Sequence, residues 1–290
     1  MKTINFNKKV CWITGASSGI GAALASTLNK MGATLIISAR NMDNLENVKR
    51  SCPCPDNISV LPFDMEKTDD LIEITKTAWN INQGIDFVFL NAGMAVRDMI
   101  INTNMDMVYK VMNINFFSNV VISKTLLPLM RERGSGCFVV TSSLCGKFGL
   151  PKLGAYSASK HALHGFYESL RAEYYKDGIA VTMITAGLVN TNITLHALNG
   201  NGTIHGRMQE SIAAGISPDV CATGIIQAVA KRKCEAAIGG MEKYSLLIKR
   251  FFPGLFRKAL SKNPVKRLRN AGLMPSANYE ISVAPVSRLC

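Results

Sequence analysis

Apolar residues gather into six short runs along the chain: Val10–Thr14, Thr34–Ser38, Ile58–Pro62, Ile85–Leu90, Cys137–Ser142 and Ile179–Thr185. Such runs read as strands covered on both faces. Between them, apolar positions return about every 3.6 residues, the repeat of a helix with one buried face. Strand and helix in alternation predict an α/β fold. It is one doubly wound parallel sheet with helices on both faces and right-handed crossovers. A chain of 290 residues can bury a large core in a single domain of this kind. Ligands then bind beyond the carboxyl ends of the strands.

Three polar segments follow predicted strands. TGASSGIG, Thr14 to Gly21, closes the first strand and opens a helix over Ile20–Met31. Gly15 suits a sharp turn, Gly19 lets backbone approach a pyrophosphate, and Gly21 permits close helix packing. Ser17, Ser18 and Ile20 complete the loop, and the helix N-terminus presents free N–H groups to phosphate. In FVFLNAG, Phe87 to Gly93, the apolar strand ends in Asn91, whose amide can tie strands together. Ala92 and Gly93 leave room there for a flat ring or a ribose. FVVTSSLCG places Ser143 thirteen residues before Tyr156. A loop can bring both hydroxyls to one substrate oxygen, and Cys145 would line the same pocket.

Tyr156 and Lys160, in YSASK, lie four apart and share one helix face. A phenol titrates near ~10, and a neighbouring ammonium favours the phenolate. Lowering that pKa by about three units needs roughly 4 kcal/mol. One cation at about 4 Å supplies roughly that at an effective dielectric of about 20.

From about Lys8 to Ala237 these motifs, in this order and with NINFFSN, resemble the short-chain dehydrogenase/reductase family. The resemblance implies a Rossmann-type sheet and a nicotinamide cofactor. By it, Tyr156 exchanges the proton, Ser143 orients the substrate carbonyl, and Lys160 lowers the tyrosine pKa and binds the nicotinamide ribose. Asn115 helps hold a relay water. Asp64, with Met65, looks like the adenine-side contact, although Asp64 also suits a turn-starting cap near Lys67. The family's Pro-Gly after the sixth strand appears here as Ala186–Gly187. Val189 and Thr191 keep the rest of that pattern, with Thr191 the expected carboxamide contact. NTNI, GRM, GISPDV, AVAKRK and FFPGLF look most like the member-7 group, which contains membrane-associated reductases of lipid-like carbonyls. NAGMAV and AYSASKHALHGF are similar to ketosphinganine reductases as well.

The second strand decides the expected cofactor form. An NAD site usually has an acid at that strand's end. Here Ala39 is followed by Arg40, whose guanidinium can hold a 2′-phosphate, and Asn41 adds a donor. NADP(H) is therefore expected. The predicted activity is an NADPH-dependent carbonyl reductase, reversible as an alcohol dehydrogenase, acting on a lipid-like or other apolar ketone. A non-catalytic NADP(H)-binding sensor and a membrane-peripheral protein on the same scaffold are the alternatives.

Net charge is +13, and the stretch 231–270 holds twelve Lys/Arg against two acids. Residues 1–240 are expected to form the catalytic domain, with a substrate loop over 190–216 ended by a Ser217 cap and Pro218. Residues 241–290 would form a basic amphipathic extension. This is a lid with Phe251, Phe252, Leu255 and Phe256 turned inward, a surface for peripheral membrane contact, or both, since the two are compatible. No motif supports nucleic-acid binding. The eight cysteines show neither CxxC nor zinc spacing, so no metal is expected and a reducing cytoplasm is the simplest compartment. MKTINFNKKV lacks an apolar signal region, and no run reaches the ~18 apolar residues of a membrane span. His161 and His164 read as helix-surface or interface residues. The helices over Phe116–Met130 and Phe166–Tyr175 would pair between subunits, so the resemblance implies a homodimer or homotetramer.

Overall fold

The computed structural model describes residues 4–261. The first half of the chain runs β1 (Val10–Thr14), α1 (Gly19–Lys30), β2 (Thr34–Ser38), α2 (Met42–Ser51), β3 (Ile58–Val60), α3 (Leu71–Ile81), β4 (Phe87–Leu90), α4 (Met105–Met112) and α5 (Ser118–Glu132). The second half runs β5 (Gly136–Ser143), α6 (Gly154–Tyr174), β6 (Ile179–Ala186), α7 (Glu210–Ala213), α8 (Pro218–Ala230), β7 (Glu235–Ile238), α9 (Ser245–Phe251) and α10 (Pro253–Ser261). Seven strands form one sheet in the order β3-β2-β1-β4-β5-β6-β7. Every pairing is parallel.

The alternation of side chains along each strand builds two cores. Cys11, Ile13, Leu35 and Ile37 face one side, where α1 and α8 cover them with Leu24, Leu28, Cys221 and Ile225. Trp12, Ile36, Val88 and Phe138 face the other, under Leu126 of α5 and Leu163 and Tyr167 of α6. The predicted doubly wound fold is therefore present.

Its details differ in places. β3 stops at Val60 and β4 begins at Phe87, each shorter than its apolar run. β7 was not foreseen: EAAI is brief, sits between charged residues, and alternates exposed with half-buried positions at the sheet's edge. His164 is not a surface residue but only 7 % exposed, because α6 turns that face toward β7. Its Nδ1 lies 3.8 Å from Glu168, and Glu235 of β7 is close to both, although Lys147 pairs with Glu235 at 3.0 Å.

The C-terminal helices also depart from expectation. Of the four residues expected to face inward only Phe256 does so, meeting Phe148 in a small cluster with Leu144 against which Leu246, Ile248 and Leu260 also pack. Phe251, Phe252 and Leu255 are 62–65 % exposed. The predicted extension beyond Ser261, Cys290 included, lies outside the described residues. No helix among the described residues is long and apolar enough to cross a membrane.

Candidate active site

The glycine loop has the geometry that its composition asks for. Gly15 and Gly19 adopt φ of +68° and +54°, where a side chain is strained. A Cβ on Gly21 would lie 2.1 Å from the Gly15 carbonyl oxygen, so only glycine lets α1 start against the loop. Ser18 takes the N-cap position with an extended backbone and makes no side-chain cap. Ser17 and Ile20 lie half-buried on the same turn, and Ile20 reaches the cavity described below. Asn91 ties β4 to this loop, its amide donating to the carbonyls of Thr14 at 3.2 Å and Gly15 at 3.4 Å. Thr14 Oγ1 accepts from the N–H groups of Asn91 and Ala92.

Arg40 lies two residues beyond the end of β2, after Ala39, and is exposed. Asn41 caps α2, its side-chain oxygen accepting from Asn44 N–H at 2.8 Å. Asp64 is used in a local turn, accepting from Glu66 N–H at 3.0 Å, and Met65 beside it is buried.

Asn115 sits in a single π-helical turn, Asn113–Phe117, between α4 and α5. Such turns widen the helix and re-aim one residue. Its side chain is fully engaged. Oδ1 accepts from Met94 N–H at 2.8 Å, and Nδ2 donates to the Met94 carbonyl at 2.9 Å and to Ser159 Oγ at 3.0 Å. Asn115 thus fastens the loop after β4 to α6. A Cβ on Gly93 would approach Asn115 Oδ1 at 3.2 Å and Lys160 Nζ at 3.4 Å, which leaves a slot beside the ammonium.

Tyr156 and Lys160 share one face of α6, with Nζ 5.8 Å from the phenol ring centroid. Lys160 is buried and donates to the Thr141 carbonyl at 2.9 Å. Burial lowers its pKa to about 8. The tyrosine departs from expectation, because burial raises its pKa instead of the lysine lowering it. The nearby Cys145 adds to the rise, and a hydrogen bond with Ser143 opposes it. The cause is shared desolvation, which disfavours the charged form of each partner. Ser143 Oγ accepts from Cys145 N–H at 3.1 Å. The Cys145 thiol is itself buried and raised.

The turn after β6 forms the opposite wall. Gly187 N–H donates to Ile238 at 2.7 Å, Val189 is buried, and Thr191 Cγ2 would lie 3.0 Å from a Cβ on Gly19. Leu188 N–H donates to the Glu242 carboxylate at 2.8 Å. Sequence reasoning missed Glu242, because it follows the strand that was also missed. Its one signal is the Gly239–Gly240 pair before it.

These walls enclose a cavity of about 250 Å³. Ser143, Tyr156 and Lys160 line it together with Leu144, Phe148, Leu188, Ile212 and Phe256. Arg97 also lines it beside Gln209, whose amide, assigned with its oxygen toward the guanidinium, accepts from Nε and Nη1 at 2.7 and 2.8 Å. The substrate loop is sewn to the loop after β4. Leu198 pairs with Val96, and Asp98 accepts from Gly200 N–H at 3.1 Å. Ser217 caps α8 through Val220 N–H, as expected.

A doubly wound sheet with a glycine turn, a Ser–Tyr–Lys set and an apolar cleft at its strand ends defines a nicotinamide-dependent oxidoreductase. The short chain dehydrogenase family model matches residues 9–200, and the chain belongs to the short-chain dehydrogenase/reductase family. Within the family it stands with the member-7 group. It is 36% identical to a Drosophila melanogaster dehydrogenase/reductase SDR family protein 7-like over 91% of this chain and 82% of the relative. It is 31% identical to the Danio rerio family member 7B, over 91% and 88%. A Streptomyces avermitilis short-chain dehydrogenase crystal structure superposes with a TM-score of 0.77 at 25% identity, over 91% of this chain and 99% of that one.

Proposed function

We propose that the protein is an NADPH-dependent carbonyl reductase, reversible as an alcohol dehydrogenase, whose substrate is an apolar, lipid-like ketone. The observation that carries this is the cavity, where Ser143, Tyr156 and Lys160 stand among aliphatic and aromatic walls. A bound nicotinamide dinucleotide supplies or accepts the hydride at the carbonyl carbon. Ser143 orients the carbonyl oxygen, and Tyr156 gives that oxygen its proton. The raised phenol pKa keeps the group protonated at neutral pH, the state a donor needs. Lys160 carries its charge below about pH 8 and offsets the phenolate left behind. Apolar walls exclude water and strengthen each of these interactions. Arg40, with no acid at positions 39–41, supports the phosphorylated cofactor.

The C-terminal helices support a peripheral contact with an anionic membrane. Leu247, Phe251, Phe252 and Leu255 are exposed. Arg250, Arg257 and Lys258 of the same helices are exposed too, and no acid occurs between Lys243 and Ser261. Such a face suits the boundary between headgroups and acyl chains.

NADPH oxidation across a panel of long-chain ketones tests the activity. Tyr156→Phe is expected to abolish turnover while NADPH still binds. Turnover retained by that variant would defeat the mechanism. Silence of the wild type across the panel would favour a role in binding alone.

A further inference from the structure

Glu242 breaks a rule of charge. It is 8 % exposed and lines the cavity. Its Oε1 accepts from the N–H groups of Leu188 at 2.8 Å and Gly240 at 2.9 Å. Three glycines make room for it. A Cβ on Gly187 or Gly239 would lie 2.2 or 2.4 Å from Oε1, and one on Gly240 2.8 Å from Oε2. Among the described residues no Lys, Arg or His forms an ion pair with it. The adjacent Lys243 turns instead over the Tyr244 ring. Two N–H dipoles recover part of what a carboxylate loses on leaving water, yet a buried anion ordinarily has a cation beside it.

We infer that Glu242 is the counter-charge for a cationic heteroaromatic ring, the oxidised nicotinamide of the bound dinucleotide. The carboxylate flanks the Gly187–Leu188 turn, on the wall that continues to Val189 and Thr191. That wall faces the space shared with Tyr156 and Lys160. The oxidised ring carries a positive charge and the reduced ring none. A fixed anion on the cavity wall therefore separates the two forms by charge. The backbone hydrogen bonds hold the carboxylate in place beforehand, so little reorganisation opposes the attraction. Glu242 would favour the oxidised cofactor left by ketone reduction. The inference rests on the family's dinucleotide and is independent of which ketone is reduced.

Glu242→Gln separates charge from shape, because the amide oxygen can still accept from Leu188 and Gly240. Dissociation constants for NADP+ and NADPH are measured by calorimetry on the full chain of both proteins. The variant should bind NADP+ about tenfold more weakly, equivalent to about 1.4 kcal/mol, with NADPH changed by less than about twofold. Equal weakening of both forms, or no change in either, would overturn the inference and leave Glu242 as a brace for the turn. NAD+ and NADH are titrated in parallel. A mistaken cofactor form then shows as tighter binding of that pair, on which the same ratio is read. Should that variant not fold, Glu242→Asp takes its place: drawing the charge back by one methylene is expected to weaken NADP+ by about threefold more than NADPH, and equal weakening of both forms overturns the charge role.

Discussion

Tyr156 and Lys160 show how far a spacing carries. Four residues on a helix put both groups on one face, and that face lines the cavity. Their titration was not legible in the same way, because it depends on how much water reaches them once β5 and the loop after β4 close over α6. Burial moves the phenol up and the ammonium down, each toward its neutral form. Arg40 is the opposite case, an exposed group whose effect depends on charge more than on burial. Arg40→Ala is expected to raise the NADPH dissociation constant about tenfold or more, with NADH changed by about twofold at most. Equal effects on both cofactors, read by titration, would remove the electrostatic argument for the phosphorylated form.

Elements whose signals are local were readable, and those made by tertiary contact were not. The glycine turn, the strand cores and the Ser217 cap each depend on neighbours within a few residues. β7 has no apolar run of its own and becomes a strand by pairing with β6 along Met183–Ala186. The clasp of Asn115 on Met94 spans 21 residues and depends on one π-helical turn. At α9 and α10 the amphipathic pattern was visible, but its direction was not. One aromatic ring, Phe256, faces the cavity, and its neighbours face outward. The double substitution Phe251→Ser, Phe252→Ser should reduce co-sedimentation with phosphatidylserine-containing vesicles several-fold and leave turnover of a soluble ketone intact. Sedimentation equal to that of the wild type would sink the membrane contact. Removing everything after Gly240 would be a poorer test, because Glu242 would leave as well.

At the scale of the whole molecule, two apolar layers around seven strands set the stability, and polar groups inside them set its dependence on pH. His164 belongs to the second category. Burial, helped by the charge of Lys147, lowers its pKa to about 4. The unfolded imidazole takes a proton near ~6.5. Between those values the unfolded chain binds the extra proton, so stability falls as pH drops through that window. At pH 5 the loss is about 2 kcal/mol relative to neutral pH. Urea unfolding at the two pH values should show it, and His164→Leu should flatten that part of the dependence. An equal slope in the variant would assign the effect to other groups.

The stitching of Leu198 to Val96 and of Gly200 to Asp98 has a practical result for enzyme engineering. The rim of the cleft is a woven edge with threads from two distant stretches of chain. Grafting 190–216 alone from a relative would leave its hydrogen-bonding partners behind. A chimera that is meant to change substrate preference has to carry residues 94–104 with it.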